Sequence, residues 1–110
     1  MVTSAYDQRL RRLAINAPHD VEAEIGVSCP TGEIDARVLA LARLAALIAI
    51  GGSGRSFTEH ADAALSAGAT TDGIVDLLVG VGSVVGAPRV VWAASRLALA
   101  LRVDEEEIFG

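Results

Sequence analysis

The sequence contains two histidines, and His60 is the one whose spacing suggests chemistry. It follows Phe57 by three residues and precedes Ala64 by four, so a helix places it on an apolar, inward-facing side. A half-buried imidazole near a charged group can act as a general acid or base around neutral pH. The alternative is a core histidine whose ring nitrogens are satisfied by a backbone carbonyl or a water. His19 lies in a polar segment, where we expect a surface position.

Arg43 is the second candidate because it interrupts an apolar stretch over residues 38–52. All nine basic residues are arginines, so their number alone says little. We expect the helix around Arg43 to be buried, and a buried guanidinium must pair with a carboxylate or bind an anion. Its fork geometry suits a substrate carboxylate, and we expect Arg43 and His60 to form one electrostatic unit. The alternative is a structural ion pair, with a neighbouring subunit or with one of three acidic residues: Glu59, Asp62 and Asp76.

Two serines, Ser53 and Ser56, stand at the start of the His60 helix. Together with the N–H groups of the helix N-terminus they could hold an anion, although simple helix capping is the plainer interpretation. Cys29 has no second cysteine and lies far in sequence from His60, so we expect an incidental thiol. Two histidines and one cysteine this far apart match no metal-ligand spacing. The run over residues 51–54 lacks the lysine of a phosphate-binding loop, and we expect neither a metal nor a cofactor.

Helical periodicity dominates the chain, and no sustained strand pattern is present, so we expect an all-α fold. About six helices are predicted, over residues 4–15, 18–26, 34–50, 56–67, 72–85 and 88–101. The inward faces of the two helices after residue 54 are predicted to be Phe57, His60, Ala61, Ala64 and Leu65, and Ile74, Leu77, Leu78, Val81, Val84 and Val85. Gly80 and Gly82 cost about 1 kcal/mol each relative to alanine, which favours close approach of another helix or a ligand. We divide the chain into an N-terminal helical arm (1–33), a helical core (34–103) and a solvated acidic tail (104–110).

Composition and charge narrow the classes of partner and cellular location that we expect. The chain has 110 residues, 52% of them hydrophobic, and a net charge of −5, which disfavours a nucleic-acid partner. Its apolar stretches over residues 38–52 and 77–87 are shorter than the ~20 residues that a membrane span needs. A single cysteine cannot form an internal disulfide, so the sequence does not indicate an oxidising compartment. We therefore expect a cytoplasmic protein with no membrane partner. A chain this small and apolar leaves hydrophobic surface exposed, which predicts a homo-oligomer, unless alanine inflates the apolar content.

Several stretches resemble a known family. They are residues 34–51, Glu59-His60, Ala63-Ala64-Leu65-Ser66-Ala67-Gly68-Ala69-Thr70, Ile74-Val75 and Gly86-Ala87-Pro88. The pattern resembles the carboxymuconolactone decarboxylase family, which has the alkylhydroperoxidase D-like (AhpD-like) fold, and it covers about residues 34–101. The resemblance implies an all-α fold and trimers or hexamers. It also implies, as the founding activity, decarboxylation of a γ-carboxy lactone.

The redox branch of that family uses a Cys-x-x-Cys pair, a histidine four residues after the second cysteine, and an upstream glutamate. His60 matches the histidine, the cysteine positions fall on Ser53 and Ser56, and the glutamate position falls near Ala40 or Leu41. Thiol–disulfide chemistry needs both an attacking and a resolving thiol, so we do not expect a thiol peroxidase or disulfide reductase.

The decarboxylase branch then gives the leading functional hypothesis, a carboxy-lyase-like enzyme acting on a small anionic metabolite. His60 would deliver the proton, and Arg43 or Arg37 would hold a carboxylate or the developing oxyanion. Arg89 is a further candidate clamp, and Ser53 and Ser56 are candidate substrate contacts. The alternative hypothesis is a non-catalytic oligomeric domain that uses the AhpD-like scaffold for binding or for a structural role.

Overall fold

The computed structural model describes residues 4–15, 25 and 32–102. Contacts divide the chain into two units, Met1–Gly32 and Glu33–Gly110. The described residues form five helices and no strand, which confirms the predicted all-α fold. These helices are α1 (Ala5–Ile15), α2 (Ala36–Ile50), α3 (Gly54–Ser66), α4 (Thr71–Val85) and α5 (Ala87–Ala100). None of them is long and apolar enough to cross a membrane.

The first unit contains α1, whose start is fixed by a reciprocal cap. The Asp7 amide donates to Ser4 Oγ at 3.0 Å, and the Ser4 amide donates to Asp7 Oδ2 at 3.3 Å. The helix buries no residue. The helix predicted over 18–26 falls outside the described residues except at Ile25, which forms an exposed turn. The acidic tail, residues 104–110, also lies outside them.

The second unit begins its helices at residues with capping side chains. Asp35 Oδ1 accepts the Val38 amide at 2.8 Å and begins α2, and Thr70 Oγ1 accepts the Gly73 amide at 2.9 Å and begins α4. Gly51 ends α2 in the left-handed region, with φ of +74°. Because these signals are local, the four helices lie within two residues of their predicted bounds.

The core of the second unit lies between its four helices. Both α2 and α5 contact each of the other three. The largest fully buried side chains are Leu44 and Ile48 of α2, Phe57 of α3 and Ile74 of α4. The remaining core positions include small residues that let the helix backbones approach one another: Ala61, Ala64, Ala93 and Ala100.

The prediction that α2 is buried on nearly all sides is wrong. Its buried residues are Ala40, Leu44, Leu47 and Ile48. Val38 is 45% exposed, Ile50 is 72% exposed, and Arg43 also lies on the surface. The physical reason is that α3, α4 and α5 cover one side of the helix, and the alanines on its other side are tolerated in water.

Two further residues assigned to inward faces are exposed. Leu65 lies at the edge of α3, and Val84 of α4 is 86% exposed. Helical periodicity predicted an apolar stripe on each helix, and this stripe is wider than the face that the neighbouring helices cover.

The two glycines inside α4 differ in their surroundings. A Cβ placed on Gly82 would lie 3.4 Å from Cγ2 of Val90, so α5 approaches this glycine to van der Waals contact. A Cβ on Gly80 would meet nothing within 4 Å among the residues that the structure describes, so close approach of a ligand or of another subunit stays a prediction there.

Candidate functional site

His60 lies in the second turn of α3, at the border between the core and solvent. Its neighbours on the helix, Phe57, Ala61 and Ala64, are fully buried, whereas His60 itself is half-buried. No hydrogen bond or ion pair joins its imidazole to any residue that the structure describes. The described residues also contain no buried side-chain nitrogen or oxygen without a partner. The ring nitrogens of His60 are therefore open to solvent or to a ligand, which argues against a core histidine satisfied by a backbone carbonyl.

Ser53 and Ser56 form the start of α3. Ser53 Oγ accepts the Ser56 amide at 3.2 Å and donates to Ser56 Oγ at 3.0 Å. This geometry confirms that Ser53 is the N-cap of the helix. Ser56 is half-buried and precedes His60 by four residues, so the two side chains are neighbours on one side of α3. A substrate contact by either serine stays a prediction.

Arg43 is exposed, so the prediction of a buried guanidinium is wrong. Position 43 precedes the buried Leu44 by one residue, which turns it by about 100° away from the core side of α2. It makes no ion pair with a described acidic residue, and Glu59 pairs instead with Arg55 at 3.1 Å. The burial that was expected to couple Arg43 to His60 is therefore absent. Arg37, in the first turn of α2, is exposed as well.

Arg89 lies near the start of α5 and reaches the end of α2. Its Nη1 donates to the Ile50 carbonyl oxygen at 3.4 Å. A Cβ on Gly51 would collide with the same Nη1 atom. A cation at this position stabilises the C-terminal end of α2, whose last carbonyls carry partial negative charge.

Sequence reasoning missed two further residues of α5, Trp92 and Arg96. The Arg96 guanidinium carbon lies 3.1 Å from the centroid of the Trp92 ring, and Arg96 Nη1 donates to the Trp92 carbonyl oxygen at 3.0 Å. Trp92 Nε1 lies 3.9 Å from the position of a Cβ on Gly51, close to the Arg89 guanidinium. The spacing of Arg89, Trp92 and Arg96 at i, i+3 and i+7 on a predicted helix was the signal that could have found this set.

The position that corresponds to the glutamate of the redox branch is apolar in this structure. Ala40 is buried, and Leu41 is partly buried against the core. Neither can orient the imidazole of His60 or share its proton.

The described part of the chain contains no group of three or more histidine, cysteine, aspartate or glutamate residues that could hold a metal ion. Cys29 and His19 lie outside the described residues.

Comparison with known proteins assigns the family. The sequence model of the carboxymuconolactone decarboxylase family matches residues 23–100, which include all four helices of the second unit. A search of curated proteins and a search of solved structures each found no match. Because the match spans more than half of the 110 residues, the chain belongs to the carboxymuconolactone decarboxylase family.

Proposed function

We propose that this protein is a carboxy-lyase-like enzyme that acts on a small carboxylate or carboxy-lactone, with His60 as its acid/base. The observation that carries the proposal is the position of His60: half-buried beside the core, with ring nitrogens that no described residue engages. An imidazole in this setting is available to exchange a proton with a bound substrate. Family membership supplies the reaction class.

The proposed step breaks the carbon–carbon bond to the substrate carboxylate and releases carbon dioxide. The bonding electron pair stays on the substrate as an enolate, delocalised onto the lactone carbonyl. The imidazolium of His60 then donates its proton to carbon and is reprotonated by solvent. Positive charge near the developing oxyanion lowers the barrier to this step.

Arginines supply that charge in the proposal. Arg37 and Arg43 are exposed on α2, and neither is engaged by a carboxylate among the described residues. Both lie on a helix that packs against the His60 helix, and in the proposal their charges attract an anionic substrate to this part of the domain. Arg89 and the hydroxyl of Ser56 are further candidate contacts.

The assembly is part of the proposal. Exposed valines and leucines on α4 and α5, among them Val79, Val84 and Leu99, favour a homo-oligomer, a trimer or hexamer in this family. A single cysteine is consistent with a cytoplasmic location.

A non-catalytic oligomeric domain is the second candidate function. The observation that favours it is the apolar pair Ala40 and Leu41 at the glutamate position, since His60 then lacks a carboxylate that could orient it. In this case His60 would serve ligand binding or packing rather than proton transfer.

Carbon dioxide release from γ-carboxymuconolactone tests the proposal. We expect turnover by the parent protein and a loss of about 100-fold or more in kcat for His60→Gln, with the melting temperature unchanged. His19→Gln, which alters the other histidine, is the matched control and should keep full activity. A parent protein that releases no carbon dioxide from this substrate would support the non-catalytic function instead.

A further inference from the structure

Three groups that donate hydrogen bonds stand at i, i+3 and i+7 on α5, and those of Arg89 and Trp92 lie beside the end of α2. They are the guanidinium groups of Arg89 and Arg96 and the indole N–H of Trp92, which we call the Arg–Trp–Arg cluster. Arg89 Nη1 and Trp92 Nε1 both lie next to Gly51, and Arg96 covers the face of the Trp92 ring. The indole ring therefore has one guanidinium over its face and a second near its N–H.

The cluster contains donors but no carboxylate to balance them. Arg89 donates to the Ile50 carbonyl, and Arg96 donates to the Trp92 carbonyl and to Ser95 Oγ. Neither arginine forms an ion pair with a residue that the structure describes. Each guanidinium carries five N–H groups, so most donors of the cluster remain available.

Gly51 leaves room for the Arg89 guanidinium beside the indole edge. Because residue 51 has no side chain, Arg89 Nη1 occupies the place that a Cβ would take, and Trp92 Nε1 lies next to it. Trp92 is 46% exposed and Arg89 is exposed, so both side chains are accessible from solvent in the single chain. A planar carboxylate is the anion that matches a guanidinium fork, and its second oxygen can accept the indole N–H.

We propose that the Arg–Trp–Arg cluster is a binding site for the carboxylate of a small organic acid. Arg89 and Trp92 Nε1–H hold one carboxylate group, and the charge of Arg96 adds to the attraction. Two guanidinium groups favour a dicarboxylate over a monocarboxylate. The site goes beyond the proposed function, because it does not include His60 and it binds whether or not His60 is catalytic; Arg89 is the one residue that it shares with the candidate substrate contacts named above.

The test uses Trp92 as its own reporter, since it is the one tryptophan in the sequence. Its indole N–H therefore gives a single cross-peak in a ¹H–¹⁵N correlation spectrum. Succinate is titrated into the protein at constant ionic strength, with butyrate as the monocarboxylate comparison. We expect a saturable shift of the indole peak with succinate and weaker binding of butyrate.

Charge-neutral variants assign the binding to the cluster. Arg89→Gln and Arg96→Gln should each weaken succinate binding, Arg89→Gln by roughly tenfold. Arg55→Gln removes the same charge from a side chain that is 89% exposed on α3, and it should leave the affinity unchanged. Thermal melts establish whether each variant folds. If one of the two cluster variants does not fold, the other still tests the site.

Each of three results would contradict the proposed carboxylate site. The first is no saturable shift with succinate, and the second is an equal shift when sodium chloride replaces succinate. The third is an unchanged affinity in folded Arg89→Gln and Arg96→Gln. None of these measurements uses turnover, so failure of the decarboxylase proposal leaves this test intact.

Discussion

The guanidinium of Arg89 occupies the space that a side chain on Gly51 would fill. This relationship joins the start of α5 to the end of α2, because Arg89 Nη1 also donates to the carbonyl of Ile50. Two features therefore favour glycine at position 51. Its φ of +74° is strained for other residues, and the Arg89 guanidinium fills the space that a Cβ would take. The same arrangement places the Arg89 guanidinium near the indole N–H of Trp92 in the Arg–Trp–Arg cluster.

Gly51→Ala should destabilise the fold by about 1–2 kcal/mol, because alanine is strained at positive φ and displaces the Arg89 side chain. Urea unfolding followed by circular dichroism measures the change. Gly54→Ala is the matched control, since a Cβ there meets nothing within 4 Å and the residue is helical. We expect this control to be neutral or stabilising by up to about 1 kcal/mol. Equal effects of the two substitutions would contradict the geometry.

Ser53→Ala should lower the free energy of unfolding by about 1 kcal/mol, because Ser53 Oγ accepts the Ser56 amide as the N-cap of α3. Ser53→Asp should retain most of the stability, since its carboxylate can accept the same amide and interacts favourably with the helix dipole. Ser56→Ala removes only the oxygen that accepts the Ser53 hydroxyl, so it should lower the free energy of unfolding by less than about 0.5 kcal/mol. A larger loss for Ser56→Ala than for Ser53→Ala, measured by chemical unfolding, would show that the capping roles are reversed.

A cysteine pair at the two serine positions should form a disulfide. Ser53 Oγ and Ser56 Oγ are 3.0 Å apart, so the two sulfur atoms need only a small approach to bond. The double variant Ser53→Cys, Ser56→Cys is best made on a Cys29→Ser background, so that no third thiol competes. After mild oxidation we expect no titratable thiol and a mass lower by two hydrogens. Two free thiols under these conditions would mean that the start of α3 differs from the geometry described.

The protein should be a homo-oligomer at micromolar concentration. Large apolar side chains on α4 and α5 are exposed in the single chain, including Val79, Val91 and Leu99. Burying them between subunits removes apolar surface from water. Light scattering should give a multiple of the 11.3 kDa chain mass that falls on dilution or in the presence of mild denaturant. A mass of 11.3 kDa across the micromolar range would refute the prediction.

Local signals in the sequence were enough to place the four helices of the second unit within two residues of their observed bounds. Asp35, Ser53 and Thr70 each cap the helix that follows, and Gly51 ends the one before it. These signals act within three or four residues, because a cap side chain bonds an amide in the first turn and a glycine relieves strain at its own φ. Periodicity also placed Phe57, Ala61 and Ala64 in the core and His60 beside it.

Burial of individual side chains and contacts between distant segments were decided only by the tertiary structure. Arg43 and Val84 lie on apolar helices, yet both are exposed, because burial depends on which neighbouring helices cover a face and how wide that cover is. Likewise, the contact of Arg89 with Ile50 joins residues far apart in sequence, and no local pattern records it. The sequence by itself determined the helices, the family resemblance and the candidate imidazole. Packing decided which charges lie near the end of α2 and which side chains face solvent, because those depend on long-range contacts.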